Sequence, residues 1–178
     1  MDDGITLRTA KIEDAEDVHN IMQTVYDLLE DKSLYVCDDL NYVKEQIKNG
    51  LGVVACNKEG KIIASFVIRF PKDALDNLGK DLNLPLSVLD RVVHMETAAV
   101  LPEYRGKGLQ RRMLAYAENM IDKSKYNIFV ATVSPNNPAS CKTFEKLGYT
   151  NILTKEKYGG LERRIYMKDA FSKTQWKD

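Results

Sequence analysis

Two short stretches hold side chains of the kinds that do chemistry. In VVHMETAAV, residues 92–100, a histidine and a glutamate stand two apart in a β-prone run. Strand alternation puts His94, Glu96, Ala98 and Val100 on one face. Imidazole titrates close to neutrality, so His94 suits proton transfer near pH 7. Glu96 could take a proton itself, bind a cation, or fix the tautomer of His94. A half-buried His–Glu pair with a purely structural role is the alternative. Just downstream, LPEYRGKGLQRRML sets Gly106 and Gly108 among Arg105, Lys107, Arg111 and Arg112, where a helical pattern begins.

The second stretch has the makings of an anion cradle. The first N–H groups of a helix lack internal partners, and the helix dipole there favours negative charge. Gly106 and Gly108 remove side chains from the approach and permit positive φ. Arg105 and Lys107 add full charges. The ligand implied is a phosphate or pyrophosphate, and a tight turn with a solvated basic helix face is the plainer alternative. Neither common nucleotide loop fits. Lys107 lies between the glycines with no Ser or Thr following, against the P-loop pattern. Arg111 occupies the third glycine position of a dinucleotide fingerprint.

These residues need elements to position them. ITLRTA reads as a strand. Val18, Ile21, Met22, Val25, Leu28 and Leu29 recur at helical spacing, with acidic residues crowding the first turns. A second helix is expected over 39–49, capped by Asp38 or Asp39 and stopped by Gly50. A hairpin over 53–56 and 61–70 turns at NKEG. Residues 71–91 mix short helical pieces with two prolines. The rest reads as strand 92–100, helix 110–123 with an apolar stripe of Leu109, Met113, Tyr116, Ala117 and Met120, strand 126–133, helix 138–146, and a last strand pair about Tyr158, Gly159 and Gly160. The expectation is one α/β domain over 1–170, with a mixed, mostly antiparallel central sheet flanked by helices and a polar tail over 171–178.

Composition narrows the function classes. The chain has 178 residues, enough for one domain that buries roughly 70% of its unfolded surface. Lys plus Arg and Asp plus Glu both number 26, so a global charge that would recruit nucleic acid or an anionic membrane is excluded. Cys37, Cys56 and Cys141 are far apart and odd in number, which speaks against a disulfide framework and a thiolate metal site. No run of about 20 apolar residues and no apolar signal core is present, so a cytoplasmic protein is expected.

AAVLPEYRGKGLQRRML, followed some thirty residues later by SPNNPASCKTFEKLGY, resembles the GNAT superfamily of acetyl-CoA-dependent N-acyltransferases. Arg105, Gly108 and Gln110 fall on the family's pyrophosphate signature, with Gln110 departing from its final Gly or Ala. Asn137, Ser140, Phe144, Glu145, Lys146, Gly148 and Tyr149 match its later helix motif. The resemblance implies acetyl-CoA as cosubstrate, no metal, and direct attack of an amine on the thioester. It places cofactor contacts at Ala98 and Val100 on the central strand and at Asn137, which otherwise caps the helix at Pro138. The glycine turn would supply the others: Arg105, Gly106, Lys107, Gly108, Leu109 and Gln110. His94 and Glu96 then lie on the substrate side as candidate catalytic residues. Where many members carry a Tyr general acid, this chain has Phe144, with water or a hydroxyl such as Tyr149 as substitutes.

The acceptor side in the family is formed by the segments that here read DKSLYVCDD, residues 71–91 and KYGGLERR. Their acids, Asp38, Asp39, Asp73 and Asp76, would draw an ammonium, although loop charges are also often just solvated. The expected acceptor is a primary amine of a small molecule. A protein N-terminus or lysine, or CoA binding without turnover, is the alternative. A homodimer is allowed; nucleic acid and membrane partners are not expected.

Overall fold

The computed structural model describes residues 3–170; the expected polar tail at 171–178 lies outside them. Seven strands form one sheet in the order β1-β2-β3-β4-β5-β7-β6. They are β1 (Thr6–Thr9), β2 (Leu51–Cys56), β3 (Ile62–Arg69), β4 (Val92–Val100), β5 (Ile128–Val133), β6 (Thr150–Lys157) and β7 (Leu161–Asp169). All neighbours pair antiparallel except β4 with β5. The helices are α1 (Ala15–Asp27), α2 (Leu40–Asn49), the short α3 (Leu78–Asp81), α4 (Leu109–Met120) and α5 (Pro138–Lys146). The mixed, largely antiparallel α/β architecture expected from the sequence is the one observed.

Alternation along the strands divides the core into two layers. Val54, Val67 and Ala99 meet α1 and α2 through Val18, Met22, Val25 and Val43. Val53, Ala55, Phe66, Ile68, Val93 and Met95 meet α4 through Leu109, Met113, Leu114 and Ala117. The α4 stripe is thus rotated from the expected one: Leu114 is buried and Met120 is 52% exposed. The helix also stops three residues early. Ile121 is extended, and the Asp122 carboxylate accepts from the Ser124 N–H at 3.0 Å, forming a local turn.

Two irregularities make room for a site. β4 and β5 pair only over Val92–His94 and Ile128–Val130; beyond that point β5 continues against β7 alone. The strands therefore part, with residues 95–100 on one arm and 131–133 on the other. The second irregularity is a bulge in β4. Val67 pairs with Thr97 and Ile68 with Met95, which leaves Glu96 as an extra residue. The expectation of a single face for His94, Glu96, Ala98 and Val100 is corrected here. The bulge shifts the alternation by one, so Ala98 and Val100 pack with the α4 layer. Glu96 and Thr97 reach side chains before and on α2.

Candidate active site

The glycine turn is built as a cradle. Gly106 and Gly108 have φ of 79° and 67°, values that L side chains rarely adopt. A Cβ at Gly106 would meet nothing within 4 Å, and one at Gly108 only Arg111 Nη2 at 4.0 Å. The space over both residues is open. The first helical bond to reach back runs from Arg112 N–H to Gly108 O at 3.0 Å. Among the described residues, the N–H groups of Gly106, Lys107 and Gly108 make no hydrogen bond, and those of the first turn of α4 lack intrahelical partners. Open space, orphan donors and adjacent arginines fit a pyrophosphate.

The expected cofactor residues converge on a cavity of about 840 Å³ that runs from this turn into the β4/β5 opening. Ala98, Val100, Arg105, Gly106, Gly108, Leu109, Gln110 and Asn137 all line it, whereas Lys107 does not. The Lys107 ammonium lies 5.3 Å from the centre of the Tyr104 ring. Arg112 is turned away and held by Asp3 at 2.6 Å. The Gln110 amide donates to Ser140 Oγ at 2.9 Å, tying α4 to α5. Asn137 Oδ1 accepts from the Ser140 N–H at 3.1 Å, so the N-cap reading of Asn137 is realised.

At the other end a polar cluster gathers around the bulge. Glu96 Oε2 accepts from the Tyr42 hydroxyl at 2.8 Å. Its Oε1 lies 3.7 Å from Arg69 Nη1 and 3.6 Å from His94 Nδ1. Arg69 is also clamped by Asp76 through two bonds of 2.7 and 2.8 Å. Asp38 Oδ2 accepts from Thr97 Oγ1 at 3.1 Å. Burial, then the charge of Glu96, pushes the Asp38 carboxyl up to about 6. Burial and Glu96 likewise raise the Tyr42 phenol, which keeps it a donor.

His94 is 3% exposed, and its Nε2 accepts from the Leu78 N–H at 2.9 Å. That bond takes the ring's lone pair and puts the proton on Nδ1, facing Glu96. The residues beyond β3 owe their order to this contact and to Asn77. Asn77 caps α3 through Gly79 N–H at 2.8 Å and donates to the carbonyls of Lys72 and Leu89. His94 therefore offers the cavity no free lone pair, whereas the carboxylates of Glu96 and Asp38 also line it.

Phe144 lines the cavity and is buried, edge-on to Tyr149 at 5.0 Å and stacked on Tyr166 at 5.9 Å. Tyr149 does not line the cavity; its hydroxyl is enclosed and its phenol is pushed up by burial. Two hydroxyls lining the cavity, those of Thr132 on β5 and Tyr158 at the β6–β7 turn, lie 3.0 Å apart. Tyr42, Arg69, Asn77, Thr132 and Arg163 were not singled out by the sequence. They come from separate elements, with no local spacing to mark them.

Among the described residues no helix is long and apolar enough to cross a membrane, and no group of three or more His, Cys, Asp or Glu side chains is placed to hold a metal ion. Residues 16–149 match the profile of the acetyltransferase (GNAT) family. A Bacillus subtilis protein, S-alkylcysteine N-acetyltransferase, is 24% identical over 167 residues, covering 90% of this chain and 86% of its own. The acetyltransferase yncA of Salmonella typhimurium, solved with acetyl-CoA, superposes with a TM-score of 0.70 at 16% identity, covering 96% of both chains. A phosphinothricin acetyltransferase of Sinorhizobium meliloti, also in complex with acetyl-CoA, gives 0.69 at 18% identity over 93% of this chain and 88% of its own.

Proposed function

The chain belongs to the acetyltransferase (GNAT) family, and from that premise we propose that it transfers the acetyl group of acetyl-CoA directly to a primary amine of a small molecule. One observation carries the reading: a single cavity joins the anion cradle at residues 106–111 to the carboxylate cluster beyond the β4/β5 opening. The S-alkylcysteine specificity named for the Bacillus relative supports a small acceptor.

In this reading the pyrophosphate is held by the N–H groups of Gly106 to Arg111 and by Arg105. The pantetheine arm runs between Ala98 and Val100 on one side and Asn137 on the other. Acetyl-CoA supplies the activated acyl carbon and a thiolate that can leave. A lysine-like amine with pKa ~10.4 is neutral in only ~0.04% of molecules at pH 7, a deficit of roughly 4–5 kcal/mol. Removing that proton is the larger task for the protein, and Glu96 is the residue placed for it. Tyr42, Arg69 and the Nδ1–H of His94 fix its carboxylate. Asp38 first draws the ammonium in.

A thiol with pKa ~8.5 needs only about 2 kcal/mol of help at pH 7. Phe144 gives no proton, and Tyr158 with Thr132 takes the hydroxyl role at the opening. The test is thiol release from acetyl-CoA across a panel of amines, amino acids and peptides. Acceleration by a small amine is expected. Binding of acetyl-CoA with no acceptor accelerating its loss would overturn the proposal.

A further inference from the structure

One cation in the acceptor half of the cavity is not used by the chemistry above. Arg163, on β7, is 4% exposed and lines the cavity. It donates to two carbonyls, Ser33 O at 2.6 Å and Glu162 O at 2.9 Å, which leaves three of its N–H groups. The other cations lining this half have carboxylates: Arg69 holds Asp76 and Lys157 holds Asp81. Among the described residues Arg163 has no acid within 4.0 Å. Asp31 acts on it from farther away, but is exposed and bonded to the Ser33 N–H. A buried guanidinium without a counter-ion is costly.

Ser33, whose carbonyl holds Arg163, leads within two residues to Tyr35, which also lines the cavity. The Tyr35 hydroxyl is enclosed and has no partner. The Tyr158 ring completes the pocket, its centre 5.9 Å from the Arg163 guanidinium carbon. Glu96, Asp38 and Arg163 are all near enough to Tyr158 to act on its phenol, so cation and carboxylates share one neighbour.

We propose that Arg163 seats a carboxylate of the acceptor, which is therefore a free amino acid. Its amine faces Glu96 and Asp38, and an apolar side chain lies along Leu29 and Leu34. Both charges of the zwitterion are matched, and an amine lacking the carboxylate would leave Arg163 buried and unpaired. This inference rests on the acetyl-transfer reading.

The test compares leucine, methionine and phenylalanine with isopentylamine, 3-(methylthio)propylamine and phenethylamine, their counterparts without the carboxylate. Thiol release from acetyl-CoA should show kcat/KM at least about 100-fold higher for the acids, and Arg163→Gln should compress that ratio to about 3-fold through the KM of the acids. Arg163→Lys should recover part of it. Equal rates for acids and amines in the parent protein, or an unchanged ratio in Arg163→Gln, would overturn the inference and leave acetyl transfer standing. Calorimetry on the parent protein loaded with CoA covers the case of a variant that fails to fold. Leucine should bind and isopentylamine should not, and equal or absent binding of both overturns the carboxylate seat. Leucine binding with no turnover of any acceptor would instead overturn acetyl transfer alone.

Discussion

Replacing Asp38 by Asn should stabilise this protein at neutral pH while impairing it as a catalyst. Burial and the neighbouring Glu96 raise the Asp38 carboxyl from 3.8 to about 6. The native state thus holds this proton more tightly than the unfolded chain does. Stability present below pH 4 is lost as pH rises through about 6, because the unfolded state releases the proton first. The full difference corresponds to about 3 kcal/mol, and partial solvent access to Asp38 brings it nearer 1–2 kcal/mol. Asn keeps an oxygen to accept from Thr97 and never ionises. At about 2–4 °C per kcal/mol for a chain of this size, Asp38→Asn should melt roughly 2–8 °C higher at pH 7.5. At pH 4.5, where the native carboxyl is protonated but the unfolded one is already largely ionised, the gain should shrink to about a third of that at pH 7.5. Melting at both pH values, with kcat/KM for the best acceptor, gives the answer. An equal change in Tm at the two pH values, or a loss at pH 7.5, would show that Asp38 carries no electrostatic strain.

Gly108→Trp should lower CoA affinity by about 100-fold or more with Tm shifted by only a few degrees, since positive φ costs an L residue about 1–2 kcal/mol and the ring must enter the open cradle; undiminished calorimetric binding would refute the cradle. Glu96→Gln should cut kcat by roughly 10²–10⁴. His94→Ala should lower kcat less and Tm more, because the Leu78 N–H loses its buried partner; full rates in both variants would place the base elsewhere. Phe144→Tyr should leave kcat unchanged or raise it by at most roughly 30-fold, the ceiling set by about 2 kcal/mol of leaving-group help; a large loss would mark the position as packing against Tyr149 and Tyr166.

The layout of the sheet and helices was legible because its cues are local. Acidic residues ahead of the α1 stripe, Asp39 before α2, Asn137-Pro138 before α5 and the glycine pair before α4 each mark a boundary within a few residues. The cradle was legible for the same reason, since its donors belong to consecutive residues. The bulge was not. Nothing in VVHMETAAV says that Val67 skips a partner, so regular alternation put His94 and Glu96 on the face of Ala98 and Val100. The ring of His94 was legible as a titratable group, but the N–H that occupies its lone pair comes from Leu78, sixteen residues away. Arg69, Tyr42 and Arg163 reach the cavity through tertiary packing alone.

The extra residue at Glu96 also fixes how this enzyme can vary. Excising it would restore the regular pleat and turn every side chain from Val92 to Met95 over relative to Thr97–Val100. Loops elsewhere can grow or shrink by a residue at little cost; here a single deletion or insertion would exchange the interior and ligand-facing sets at one stroke. Divergence along this strand must therefore proceed by swapping side chains at constant length.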